Sequence, residues 1–151
     1  MSPRIGIGYD AHRFAPGRRL VLGGVEIPHE QGLEGHSDAD ALTHAVIDAL
    51  LGAAGLGDLG THFPPDEEHW RDADSIDLLR TVVGMMPAAV LNVDATVVCE
   101  RPRLAARRQE MERVLGEALS APVSVKATSN EGMGALGRGE GIACLAVALI
   151  E

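Results

Sequence analysis

The chain has 151 residues, of which 46% are hydrophobic and 3% aromatic, and its formal net charge is −9. This length and apolar content suit one domain, residues 1–151, with a core of Val, Leu, Ile and Ala, and they exclude a disordered chain. The acidic balance argues against nucleic acid as a partner, and an anionic substrate would need metal ions or local arginines to be held.

Residues 4–10, "RIGIGYD", read as a strand with Ile5, Ile7 and Tyr9 on one face and Gly6 and Gly8 on the other. Eighteen glycines in all imply tight turns and places of close backbone approach. At the expected strand end, Asp10 and His12 stand at i and i+2 and project to the same side. Two readings are open there: a solvated turn, or two ligands of a divalent metal. Next, "RRLVLGGVEIPHE" reads as a hairpin turning at Gly23-Gly24. "DADALTHAVIDALLGAAG" reads as an amphipathic helix stopped by Gly55. In it, Asp40, His44 and Asp48 form one column, beside Ala41/Ala45/Ala49 and Leu42/Val46/Leu50, which turn to the core. His44, between two carboxylates, is a candidate third ligand; the other reading is a solvated helix face. An Asp-His-His set with an open position fits Zn²⁺.

"DADSIDLLRTVVGMM" reads as a second helix, capped by Asp74 or Ser75 and stopped by Pro87. "AVLNVDATVVCE" is a strand, "LAARRQEMERVLGEAL" a third helix with Arg and Glu at three- and four-residue spacing, and "VSVKATS" and "GIACLAVALIE" are the last strands. Two stretches without a strong period, "HEQGLEGHSD" and "GLGDLGTHFPPDEEHWRDA", read as functional loops. The pattern is α/β (α+β): a single mixed sheet with helices packed on one face. Cys99 and Cys144, in apolar runs, read as reduced core cysteines of a cytoplasmic protein. No signal peptide or membrane span is expected.

Several blocks, namely "GYDAHRF", "LGGVEIPHEQGLEGHSDADALTHAVIDALLGAAGLGDLG", "FPPDEEHWRDADS", "NVDATVVCERPRL" and "VKATSNEGMGALGRGEGIACLAVAL", together resemble those of the 2-C-methyl-D-erythritol 2,4-cyclodiphosphate synthase family. The resemblance runs from about residue 4 to the last residue. It implies an enzyme of the non-mevalonate isoprenoid pathway that takes 4-diphosphocytidyl-2-C-methyl-D-erythritol 2-phosphate, closes a cyclic diphosphate and releases CMP. It also implies a homotrimer with sheets facing the threefold axis, active sites between subunits, and two divalent ions, Zn²⁺ and either Mg²⁺ or Mn²⁺.

By resemblance, Asp10, His12 and His44 match zinc ligands, and Asp10 and His12 also face the substrate. His36 and Ser37 match the loop that handles the methylerythritol phosphate, with His36 stabilising charge at the reacting phosphate. Asp58, Leu59 and Gly60 match sugar contacts. Phe63, Pro64, Pro65, Asp66 and Glu67 match a flexible loop over the methylerythritol. Cys99, Glu100, Arg101, Pro102, Arg103, Leu104 and Ala105 match the cytidine pocket. Thr128, Ser129, Asn130 and Glu131 match a phosphate-binding turn, with Ser129 near the transition state and Glu131 near the second ion. Ala135 stands where some relatives carry an aromatic, and Arg138 matches a phosphate-binding or interface position.

The residues themselves leave other readings. "TSNEG" is also a capping-box pattern, and its backbone N–H groups could serve as phosphate donors. "GMGALGRGEG" lacks the Lys-Ser/Thr of an ATP loop. His29, His62 and His69 read as surface residues, and Trp70 as packing for its loop. A different metal-dependent phosphohydrolase and a non-catalytic metal-binding trimer remain alternatives at this point.

Overall fold

The computed structural model describes residues 2–151. Its centre is a five-stranded mixed sheet, with β1 (Arg4–Ala15), β4 (Gly32–Leu33), β5 (Val90–Val98), β6 (Val123–Thr128) and β7 (Gly141–Ile150). The strand order is β4-β1-β7-β5-β6, antiparallel except for the β5–β6 pair. β2 (Leu20–Leu22) and β3 (Val25–Ile27) form a separate two-stranded ribbon, so the expected single sheet is one sheet plus a hairpin. The hairpin turns where expected. Gly23 and Gly24 have φ of 58° and 74°, the paired left-handed conformation of a type I′ turn.

β1 is longer than its expected span of residues 4–10. Alternation alone hid this, because the polar run from Asp10 to Arg13 still pairs in register with Gly141–Cys144 of β7. Phe14 and Ala15 then pair with β4. Asp10 and His12 therefore lie inside a strand held on its β7 side by a full ladder.

Helix α1 (Ala41–Ala54) ends where Gly55 takes φ 71° and donates its N–H back to the last turn. The expected amphipathic character is not what the fold uses. Nearly every α1 residue is buried, including His44, because the helix lies between the sheet and α3 (Ser75–Met85). The approach to β1 is very close. A Cβ on Gly8 would lie 1.8 Å from Ala45 O, and one on Gly6 would lie 2.0 Å from Ala49 O. Only glycine lets a helix rest directly on strand backbone at these positions. Asp74 caps α3 by accepting Ile76 N–H, and the helix ends at Met85, just before Pro87. α4 (Arg108–Leu119) covers the β6 side through Met111, Leu115 and Leu119.

Leu42, Ile47, Leu50 and Leu51 of α1, Leu79 of α3, and Ile142 and Ile150 of β7 are fully buried in the layer between sheet and helices. Each contributes about 1.5–3 kcal/mol through the apolar surface it removes from water. Among the described residues, no helix covers the opposite face of the sheet. There Ile5, Ile7 and Tyr9 are 71%, 70% and 58% exposed, with Leu145 and Val147 beside them.

Candidate metal centre and substrate cavities

β1 and α1 bring three side chains together. Asp10 Oδ2 lies 2.8 Å from His12 Nε2 and 3.2 Å from His44 Nδ1. One ligand atom from each residue falls within 4.8 Å of the others. Ligand atoms at the corners of a tetrahedron about a zinc are about 3.3 Å apart for bonds of ~2.0 Å.

The proton inventory favours a cation. His12 Nδ1 is 2.7 Å from Glu34 O, a carbonyl that can only accept, so Nδ1 carries a hydrogen and the neutral ring presents a lone pair at Nε2. That Nε2 is buried and, despite its proximity to Asp10, has no hydrogen-bond partner of acceptable geometry. A buried acceptor aimed at a carboxylate oxygen is the donor set that a divalent ion satisfies. The residues present fit Zn²⁺. Burial opposes ionisation of Asp10, but the two imidazoles beside it, His12 and His44, outweigh it and hold the carboxyl below its usual range. Burial likewise opposes charge on His12, but Asp10 outweighs it and lifts the imidazole above its usual value.

His44 is not oriented by the two carboxylates of its own column. Asp40 is fully buried and spends both oxygens elsewhere. It accepts Gly23 N–H at 2.8 Å, Gly24 N–H at 2.7 Å, Thr43 N–H at 2.9 Å and the Thr43 hydroxyl at 2.7 Å. It is the N-cap of α1 and the clamp on the hairpin turn. Asp48 accepts Leu59 N–H at 2.7 Å. The atoms facing His44 Nε2 are Ser75 Oγ at 2.8 Å and Ser37 Oγ at 3.2 Å.

The triad lines a cavity of about 160 Å³, together with His36, Ser37, Leu59, Gly60, Phe63, Pro65, Trp70 and Leu78. The two loops around it are more structured than their sequences suggest. Single helical turns form at Leu59–His62, capped by Asp58, and at Glu68–Trp70. His36 Nε2 donates to Glu67 O at 2.8 Å, which ties the two loops together. Arg18 donates to Gly35 O at 3.0 Å and to Ser37 O at 2.7 Å, a clamp that no periodicity in the sequence marks. Trp70 does more than pack its loop. It meets Phe63 edge-on at 4.9 Å and walls the cavity, as does Leu78, which sequence reasoning missed. Asp66 and Glu67 are exposed, and Pro64 lies outside the cavity lining. His29 packs on Phe14, His62 bonds Leu56 O and His69 packs on Trp70, so none joins the triad.

A second cavity, about 300 Å³, is lined by Leu104, Ala105, Arg108, Met111, Val125, Lys126 and Ala127. Of the residues matched to cytidine, Leu104 and Ala105 line it. Glu100, Arg101, Pro102 and Arg103 line a neighbouring cleft with His29 and Glu30. Cys99 is buried, and burial, with Glu100 adding, pushes its thiol up to about 11.

The turn after β6 differs from both expectations. No helix begins there for a capping box, since the next helical turn is Gly134–Gly137 with Met133 at its cap position. Its N–H groups are also already engaged. Asn130 N–H and Gly132 N–H donate to Glu100, Glu131 N–H to Ser129 Oγ, and Met133 N–H to Asn130 O. The side chains of Thr128, Ser129 and Glu131 are exposed, as is Ala135, and Arg138 pairs with Glu140 at 2.7 Å. Register places Thr128, Val98, Ala143 and Ala11 in one row across the sheet. The turn and the triad thus leave the same end of the sheet, three strand spacings or about 14 Å apart.

Fold and site define a class: small α/β proteins with an Asp-His-His candidate metal centre at the wall of a cavity. Residues 3–151 match the YgbB family. The chain is 58% identical over 152 residues to the 2-C-methyl-D-erythritol 2,4-cyclodiphosphate synthase of Symbiobacterium thermophilum, covering 97% of each chain. It is 56% identical to the synthase of the same name from Salinibacter ruber, covering 98% of each. Among solved structures it is similar to the bifunctional IspDF of Campylobacter jejuni, with a TM-score of 0.94 and 35% identity over 99% of this chain and 42% of that one. It is also similar to the IspF–CDP complex of Plasmodium falciparum, with a TM-score of 0.86 and 30% identity, covering 99% of this chain and 96% of that one. The chain belongs to the YgbB family, the family of 2-C-methyl-D-erythritol 2,4-cyclodiphosphate synthases.

Proposed function

We propose that the protein converts 4-diphosphocytidyl-2-C-methyl-D-erythritol 2-phosphate to 2-C-methyl-D-erythritol 2,4-cyclodiphosphate and CMP, as a phosphorus–oxygen lyase of the non-mevalonate isoprenoid pathway in the cytoplasm. The observation that carries this reading is the convergence of Asp10, His12 and His44 on one point, in a chain 58% identical to a synthase of that name.

In the reaction, an oxygen of the 2-phosphate attacks the β-phosphorus of the substrate's own diphosphate. The bond from that phosphorus to the bridging oxygen breaks, and CMP leaves with that oxygen. Two anionic groups must meet, so positioning and charge neutralisation carry the step, and no side chain is needed as a covalent nucleophile. Asp10, His12 and His44 would hold Zn²⁺, which when bound would supply Lewis acidity toward a phosphate oxygen. Glu131, a single exposed carboxylate, suits Mg²⁺ or Mn²⁺, since such ions are held by one or two carboxylates together with substrate phosphates. His36 and Ser37 stand at the cavity wall to bind the methylerythritol phosphate, and Leu59, Gly60, Phe63 and Pro65 shape the space beside it. Leu104 and Ala105 line the space assigned to the cytidine. Ser129 and Thr128 would contact the diphosphate through their hydroxyls.

The triad and the turn at residues 128–131 sit about 14 Å apart across one end of the sheet, which supports a complete site made of the triad of one subunit and the turn of another. The uncovered face carrying Ile5, Ile7 and Tyr9 is the surface that a homotrimer would close, with the sheets toward its axis. Native mass spectrometry should give the mass of three 15.9 kDa chains.

Incubation with the diphosphocytidyl substrate and divalent metal should release CMP and the cyclic diphosphate in equal amounts, read by phosphorus NMR. His44→Ala should lose both by at least about 100-fold while keeping its fold. Linear phosphate products would favour a phosphohydrolase and refute the ring closure.

A further inference from the structure

The contacts of His44 continue away from the triad. Ser75 is fully buried at the first turn of α3, and its Oγ lies 2.8 Å from His44 Nε2. The same Oγ makes a short hydrogen bond to Asp38 Oδ1, and Ser75 N–H donates to Asp38 Oδ2 at 2.9 Å. Asp38 Oδ1 also accepts Asp40 N–H at 3.1 Å, so the carboxylate is fixed from two sides.

The direction of this chain follows from valence. A hydroxyl has one hydrogen. An ionised carboxylate only accepts, so the Ser75 hydrogen goes to Asp38. Toward His44, Ser75 Oγ can then act only as an acceptor. Both ring nitrogens face acceptors, Ser75 Oγ 2.8 Å from Nε2 and Asp10 Oδ2 3.2 Å from Nδ1; the shorter contact favours the ring hydrogen on Nε2, which leaves the lone pair on Nδ1. Ser37 Oγ, at 3.2 Å, cannot set the direction by itself, because it is not tied to a carboxylate. It accepts Ala39 N–H, and its own hydrogen is free to point elsewhere.

We infer that Asp38 and Ser75 are positioning residues that lock His44 in the Nε2–H tautomer and so present Nδ1 as a ready metal ligand. This rests on the metal reading of the triad and deepens it. Without the lock, the ring shares its hydrogen between two nitrogens, and the wrong tautomer presents a donor to the cation. Outer hydrogen-bond partners of ligating histidines are typically worth 10- to 100-fold in metal affinity.

The test has two arms. Long-range proton–nitrogen NMR of the metal-free protein reads the His44 tautomer directly. The wild type should show hydrogen on Nε2, and Ser75→Ala and Asp38→Asn should each shift His44 toward a mixture. Asp38→Asn probes direction, since its amide can donate to Ser75 and free the hydroxyl to point at His44. In the second arm, zinc affinity by chelator competition should fall 10- to 100-fold in both variants, with the residual binding abolished by His44→Ala. Hydrogen on Nδ1 in the wild type would overturn the inference with no variant needed. So would an unchanged zinc affinity in folded Asp38→Asn. Absence of zinc binding in the wild type would instead overturn the metal reading, while the tautomer measurement still judges the hydrogen-bond chain.

Discussion

Asp40 offers the sharpest separation between a metal-binding carboxylate and a structural one. It stands in the same helical column as His44, yet its four accepted hydrogen bonds go to Gly23, Gly24 and Thr43. Asp40→Ala removes the N-cap of α1, worth about 1 kcal/mol. It also strands the two hairpin N–H groups, one of them buried, at about 1–2 kcal/mol each. The total is roughly 3–5 kcal/mol, which in a chain of this size lowers the melting temperature by roughly 10–15 °C. Asp40→Asn, which keeps one acceptor oxygen, should lose about half as much. Guanidinium unfolding followed by circular dichroism at one fixed protein concentration measures both. Zinc bound per folded molecule should stay the same in each variant. An Asp40→Ala protein within about 1 kcal/mol of wild type would refute the clamp, and selective loss of zinc from folded protein would return Asp40 to the metal site.

Other outcomes follow from the same contacts. Gly8→Ala should fail to give folded protein, because its Cβ would lie 1.8 Å from Ala45 O, whereas Gly52→Ala, with nothing nearer than 3.8 Å, should gain about 0.5–1 kcal/mol in a denaturant melt. Neither cysteine should react with a thiol reagent at pH 8 in the native protein, and both should react after unfolding; burial raises both thiols, Cys99 to about 11, so rapid native labelling would contradict the fold. Asp94 is held below the usual carboxylate range first by Lys126 Nζ at 2.7 Å and then by Ser124 Oγ at 2.7 Å. Its folded value is depressed, so its stabilising effect is present above the ordinary carboxylate value and fades as pH falls through the folded one. Lys126→Ala should therefore destabilise the protein at pH 7 and converge with wild type in acid; an equal deficit at both pH values would argue against the pair.

The helices were legible because their stops are local: Gly55 adopts its left-handed turn and Asp74 its cap with partners within a few residues. The hairpin was legible from two adjacent glycines for the same reason. The strand order was not, since β1 pairs with β7 across almost the whole chain, and nothing periodic announces that neighbour. At the site, the i, i+2 spacing placed Asp10 and His12 on one side of a strand, and helix geometry nominated His44. That the two groups meet was beyond either pattern, as was the identity of the groups around His44. Asp48 and Asp40 sit one turn away along the helix, but their acceptors' partners come from Leu59 and the hairpin. Trp70 reads as packing for its loop and Leu78 stands out in no pattern, yet both wall a cavity.

The bare backbone at Gly6 and Gly8 also governs how firmly the ligand geometry is kept. Where a helix rests on side chains, its distance from a strand drifts as rotamers interchange. Here main-chain atoms of α1 and β1 meet directly, and main-chain atoms do not compress. The gap spanned from Asp10 and His12 to His44 is thereby inherited from two hard surfaces in contact, and thermal agitation of the surrounding aliphatic groups has little leverage over it.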